Sequence, residues 1–164
     1  VAVIGTEASV GHITAATYFE SIESNANRAA LARYRERYGA RERTNMCWES
    51  AYFQVHLAAN AMRVAGSDDV DKLRRALNSL NYDAPQGKVQ IDPGNGHAYL
   101  WPRIGRINSA GSFDVLFESN NAIKPDPYLV SFDPSDWSLK STITSLDAGP
   151  NTETIKPAEV EILK

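Results

Sequence analysis

A single cysteine, Cys47, occurs among 164 residues. One thiol cannot close an internal disulfide, and no Cys/His spacing suited to zinc accompanies it. Long apolar runs are also missing, and none nears the roughly 20 residues needed to span a bilayer. Basic excess is absent: 17 Lys and Arg against 20 Asp and Glu leave a net charge of −3. That balance removes the electrostatic footprint of a DNA- or RNA-binding surface. The histidines His12, His56 and His97 are scattered, and no pair has metal-ligand spacing. There is no Gly-x-Ser-x-Gly nucleophile turn, and Gly94-Asn95-Gly96 lacks the strand-to-helix setting of a dinucleotide loop. Val1-Ala2-Val3-Ile4 offers neither an initiator Met nor a basic leader, so the chain reads as a piece of something longer.

What is present is a chain of ordinary globular composition, 43% hydrophobic, and long enough for one domain with a core. It is organised around Asn81–Ser119. Tyr82 to Gly87 reads as a turn, Lys88 to Ile91 as a short strand and Asp92 to His97 as a second turn. Two longer extended runs follow, Ala98 to Ile107 and Ser112 to Glu118. There Tyr99, Trp101 and Arg103 alternate with Leu100 and Ile104, and Phe113, Val115 and Phe117 with Asp114, Leu116 and Glu118. This period of two predicts a half-buried antiparallel ribbon.

Ahead of the ribbon the pattern is mostly helical. Ala2 to Ser9 reads as a helical turn. Gly11 to Phe19, rich in β-branched and aromatic residues, reads as a strand buried on both faces. Ser24 or Asn25 caps a helix to about Tyr38, closed by Gly39. Its charge-rich side and the residues up to Arg43 form a solvated face. Thr44 or Asn45 caps the longest helix, about Met46 to Ala65, ended by Gly66. Trp48, Ala51, Tyr52, Val55, Ala58, Ala59 and Met62 mark its apolar stripe. Ser67 caps a third helix with Asp68 and Asp69 in its first turn, where they complement the dipole, and Arg74 and Arg75 late. After the ribbon, Leu129 to Phe132 reads as a last short strand, and residues 138–164 as a polar extended tail.

The residues most suggestive of a site are Tyr18, Phe19, Trp48, Glu49 and Tyr52. Rings at a strand end and a carboxylate at a helix start can line a pocket for a small neutral ligand. The plainer reading makes the rings core, Glu49 an exposed first-turn acid and Cys47 a small buried or half-buried residue. A small hydrolase with Glu49 or His56 as general base is the alternative from another class. A regulatory interaction module is a third, which an exposed apolar patch on helix 46–65 would favour.

Gly11-His12-Ile13-Thr14-Ala15-Ala16-Thr17-Tyr18-Phe19-Glu20-Ser21-Ile22 resembles the Gly-His-x-x-Ala-x-x-Tyr-Phe-x-Ser-Ile segment of type I periplasmic-type solute-binding proteins, in the branch that handles urea and short-chain aliphatic amides. Glu49-Ser50-Ala51-Tyr52 is similar to the family's Glu-Ala-Ala-Tyr helix start. Asp83-Ala84-Pro85-Gln86-Gly87-Lys88-Val89 is similar to its Asp-Ala-Pro-x-Gly-x-Val turn. Asn95-Gly96-His97, Arg103-Ile104-Gly105, Gly111-Ser112-Phe113-Asp114-Val115 and Lys124-Pro125-Asp126-Pro127-Tyr128 follow in family order. Asp136-Trp137 resembles the end of the amide-sensing regulator of an aliphatic amidase operon.

The resemblance covers residues 1–137. It implies an α/β fold, a partial type I periplasmic-binding-protein fold cut from two three-layer α/β/α lobes that close on ligand. Residues 1–137 would be the C-terminal portion of that two-lobed domain. It implies no catalytic residue, no metal and no cofactor, and it places Tyr18, Glu49 and Tyr52 near the cleft or hinge. The implied partners are a small neutral amide-like ligand, the receptor's missing N-terminal segment, and a membrane permease or a transcription regulator. The implied location is the periplasm or a cell-surface lipoprotein, with the cytoplasm for a sensor. The strand Gly11–Phe19 needs neighbours for its backbone groups, so order is expected only with the missing segments or in a homodimer or domain swap.

Overall fold

The computed structural model describes residues 5–127. The first half is helical. Helix α1 is a single turn, Thr6–Ser9, and strand β1 spans Ile13–Ala16. Helix α2 runs Asn25–Tyr38, α3 Met46–Ala65 and α4 Val70–Ser79. The caps follow local chemistry. Ser24 Oγ accepts from Asn27 N, Asn45 Oδ1 from Trp48 N and Asp69 Oδ1 from Lys72 N, each satisfying an N–H that the helix leaves without a partner. Gly66 ends α3 in the left-handed conformation, as a C-terminal glycine does. The third helix differs from expectation at its start. Asp69 is the cap rather than Ser67, and Arg74 and Arg75 fall in mid-helix, with no basic residue in the last turn.

Strands β2 (Asn81–Ala84) and β3 (Gly87–Gln90) form a two-stranded antiparallel hairpin. The expected turn over 82–87 is therefore half strand. Asp and Pro density marks the bend at Pro85-Gln86, while pairing with β3 extends Asn81–Ala84. Strands β4 (Arg103–Ile107) and β5 (Phe113–Glu118) pair as the ribbon pattern predicts, with an irregularity between Ile104 and Gly105. The sheet order is β1-β4-β5, all antiparallel. Strand β1 thus finds a neighbour about ninety residues on. It is not buried on both faces; Ile13 is 61% exposed.

The core packs α3 and α4 on the hairpin: Phe53, Leu57, Ala84 and Val89, flanked by Leu77, Leu80, Tyr82, Ile91, Ala98 and Leu100. The buried residues of α3 are Glu49, Phe53, Leu57 and Ala61, each one turn after the last. The expected stripe is therefore displaced around the helix. Trp48 and Tyr52 are half-buried, but Ala51, Val55, Ala58, Ala59 and Met62 are exposed. Glu49 and Arg63 are the only charges on α3. A helix apolar on nearly every side gives the periodicity no single face to select. Cys47 is exposed rather than buried.

Two glycines make close contacts that a side chain would block. A Cβ on Gly105 would lie 2.6 Å from the Phe19 ring, and one on Gly87, at φ +128°, would lie 2.8 Å from the Trp101 indole. No helix among the described residues is long and apolar enough to cross a membrane. The expected strand 129–132, the segment up to Trp137 and the tail 138–164 lie outside the described residues.

Candidate functional site

Glu49 stands at the start of α3, one turn before Phe53, and is fully buried rather than exposed. Its Oε2 accepts from Gln86 Nε2 at 2.8 Å and its Oε1 from Gln86 N at 3.4 Å. Burial raises its carboxyl from 4.5 to about 7, against the lowering effects of the two Gln86 hydrogen bonds and of the Arg103 charge. Gln86, at the hairpin bend, is buried as well. Its Oε1 accepts from Trp101 N at 3.2 Å, and its carbonyl from Arg103 Nη2 at 2.7 Å.

Arg103 completes the junction. Although on β4, it is 3% exposed, whereas its neighbour Ile104 is 39% exposed. Its Nη1 donates to Thr17 O at 2.7 Å and Trp101 O at 3.1 Å, and its Nε to Glu118 Oε2 at 2.8 Å. The guanidinium thus ties the segment after β1, the hairpin bend, β4 and β5, using the fork geometry a lysine lacks. Gln86, Trp101, Arg103 and Glu118 line an open cleft of about 640 Å³, with Ser24 and Phe113 on its wall.

Tyr18 lies elsewhere, on a second cleft of about 590 Å³ with Glu20, Thr44 and Ser112. It is buried. Its hydroxyl donates to Asn27 Oδ1 at 3.0 Å and sits 3.0 Å from Thr44 Oγ1. Burial pushes that hydroxyl up to about 12. Glu20 gathers the charge-rich helix, pairing with Arg35 and lying 3.8 Å from Arg43. The α2 face is therefore not purely solvated.

Of the sequence-derived cluster, Tyr18, Trp48 and Tyr52 come together: ring centroids are 6.0 Å apart for Tyr18–Trp48 and 5.3 Å for Trp48–Tyr52. The ladder continues through His56 to Tyr82. Phe19 leaves the cluster and packs at a tilt against Phe113, with ring centroids 4.8 Å apart. Gln86, Trp101 and Arg103 were not expected as site residues. Arg103 at an alternating position of an apolar ribbon was the available signal for a buried cation. Among the described residues no cluster of His, Cys, Asp or Glu could hold a metal ion.

Residues 1–134 match the family described as periplasmic binding protein domain, and the chain belongs to that family. Solved structures agree. The solute-binding protein of an ABC transporter from Rhodopseudomonas palustris BisB5, in complex with 3,4-dihydroxybenzoic acid, is 25% identical with a TM-score of 0.66, covering 74% of this chain and 33% of that one. Its counterpart from R. palustris HaA2, in complex with p-hydroxybenzoic acid, is 25% identical with a TM-score of 0.65, covering 76% and 34%. An amino acid ABC transporter substrate-binding protein from Pseudomonas fluorescens Pf-5, 18% identical with a TM-score of 0.65 over 75% and 34%, shares the fold. Among curated proteins, limonene hydroxylase of Geobacillus stearothermophilus is 25% identical over 128 residues, 78% of this chain and 23% of that one. The chain spans about a third of the length of the solved relatives it matches. Its mixed α/β architecture is a partial periplasmic-binding-protein fold.

Proposed function

We propose that this chain is part of the solute-binding component of an ABC importer, and that the solute is urea or a short-chain aliphatic amide. The receptor works in the periplasm or as a cell-surface lipoprotein and hands its ligand to a membrane permease. Residues 1–137 belong, in this reading, to the C-terminal portion of its two-lobed domain. Family membership supports capture rather than bond-breaking. The single observation that carries the choice of solute is the state of Arg103. A guanidinium is a favoured partner for a benzoate-type carboxylate. The one guanidinium lining the 640 Å³ cleft is already matched to Glu118 and three carbonyls. Glu23 and Asp114, which also line the cleft, add negative charge. That cleft suits a neutral solute with hydrogen-bonding groups. Tyr18, Glu49 and Tyr52 serve in this reading as cleft or hinge residues, a role supported for Tyr18 by its position on the second cleft and for Glu49 by its bond to Gln86.

The uncovered apolar faces fit a part of a larger body. Val55 on α3 is 69% exposed and Phe117 on β5 55% exposed, and such surface calls for cover. The same α3 face favours a second reading, a regulatory interaction module; a cytoplasmic amide sensor of an amidase-type operon shares the fold and would be told from the importer by its upstream sequence. General-base hydrolysis by Glu49 is disfavoured, since that carboxyl is sealed from solvent and held by Gln86.

A thermal-shift series on the full-length receptor tests the proposal. Ligands that bind only the folded state raise its melting temperature. Urea, acetamide or butyramide should do so and 4-hydroxybenzoate should not; the reverse ranking refutes the amide assignment.

A further inference from the structure

Gln86 is fully committed. Its Nε2 donates to Glu49 and its Oε1 accepts from Trp101 N–H, so its amide cannot flip without setting one donor against another. Its carbonyl holds Arg103, which in turn holds Thr17 O and Glu118. The carboxylate of Glu49 is thus the hidden end of a chain that surfaces at the cleft wall. Both Glu49 oxygens face donors from Gln86. When ionised, Glu49 accepts both bonds at full strength; a proton on either oxygen makes that oxygen a poorer acceptor and weakens the bond it receives from Gln86.

We infer that Glu49, acting through Gln86, is a positioning residue for the cleft wall at Trp101 and Arg103, so that ligand capture is coupled to the proton on Glu49. This rests on the receptor reading above. Arg103 from β4 acts on Glu49, and the Glu49 charge in turn reaches Tyr18 after β1 and Tyr82 from β2. Burial moves the carboxyl toward neutrality and both phenols upward, away from it. The remaining imidazole nearby is His56, on α3 itself and stacked 5.3 Å from Tyr82, which calls for its own control.

The test is amide hydrogen exchange of Trp101 N–H in the full-length receptor, corrected for intrinsic rate, at about pH 6 and about pH 8. One hydrogen bond gained corresponds to about tenfold in protection. Protection should rise by that factor toward the higher pH in the wild type and in His56→Gln, and stay level in Glu49→Gln. The same rise in Glu49→Gln, or its loss in His56→Gln, overturns the inference. Should Glu49→Gln fail to fold, Gln86→Ala replaces it: protection low at both pH values supports the chain, and a retained rise overturns it. Affinity for acetamide is measured on the same proteins. If acetamide does not bind but exchange behaves as stated, the amide assignment fails and the positioning role stands. If acetamide binds with pH-independent affinity, the coupling fails and the receptor reading stands.

Discussion

Gln86 Nε2 donates to Glu49 Oε2 across 2.8 Å, at a point where neither side chain touches solvent. The bond joins the first turn of α3 to the bend of the β2–β3 hairpin, and a titratable group sits at the junction.

That group sets a pH dependence. Burial raises the Glu49 carboxyl from 4.5 to about 7, so the folded state holds its proton more tightly than the unfolded chain. Its contribution to stability is greatest below 4.5 and declines as pH rises to about 7. The decline amounts to about 3 kcal/mol. Denaturant melts of the full-length receptor across this window should show that loss in the wild type and a flatter profile in Glu49→Gln. The sign is opposite to that of the local Trp101 protection, so the two measurements cannot mimic one another.

Removing the buried cation should be costly. Arg103→Met leaves Glu118, Thr17 O and Gln86 O without their donor. Glu118 is 46% exposed and stays hydrated, so the cost falls on the carbonyls, and the expected loss is about 1–3 kcal/mol by urea denaturation. Arg103→Lys should recover only part of it, because an ammonium cannot span the same fork.

The Phe19 ring depends on the bare backbone of Gly105. Gly105→Ala places a methyl 2.6 Å from that ring, and β4 must shift to admit it. A loss of about 1–3 kcal/mol is expected. Far-UV circular dichroism during thermal unfolding measures it.

Asp92 answers to acid in the other direction. Gly94 N–H at 2.7 Å holds its carboxyl below the usual 3.8, helped by Tyr99 and by Lys124 at 3.7 Å. That stability is present above 3.8 and lost as pH falls below it. Asp92→Asn should flatten the acid limb of the melting profile and leave the Glu49 window unchanged.

The isolated 164-residue chain should not behave as a compact monomer of 18.0 kDa. Ile13, Val55, Met62 and Phe117 are all more than half exposed, and β1 and β5 each end the sheet. Sedimentation should show self-association, relieved when the chain is part of the full receptor.

Legibility followed the range of the forces. Ser24, Asn45 and Gly66 act on atoms within one turn of themselves, so the bounds of α2 and α3 could be read from sequence. The face of α3 could not, because Phe53 and Leu57 are selected by a hairpin some thirty residues later. Tyr18 and Tyr52 both lie against Trp48, a contact that residue type and helical spacing could suggest. The burial of Glu49 and the inward turn of Arg103 depend on Gln86, and no local pattern announces a partner at that separation.

The most direct measurement is titration calorimetry of acetamide into the full-length receptor, with the acetamide recovered and quantified afterwards. Saturable heat with the amide returned intact is the predicted result. Heat that continues with release of ammonia, or saturable heat from 4-hydroxybenzoate alone, would contradict the account.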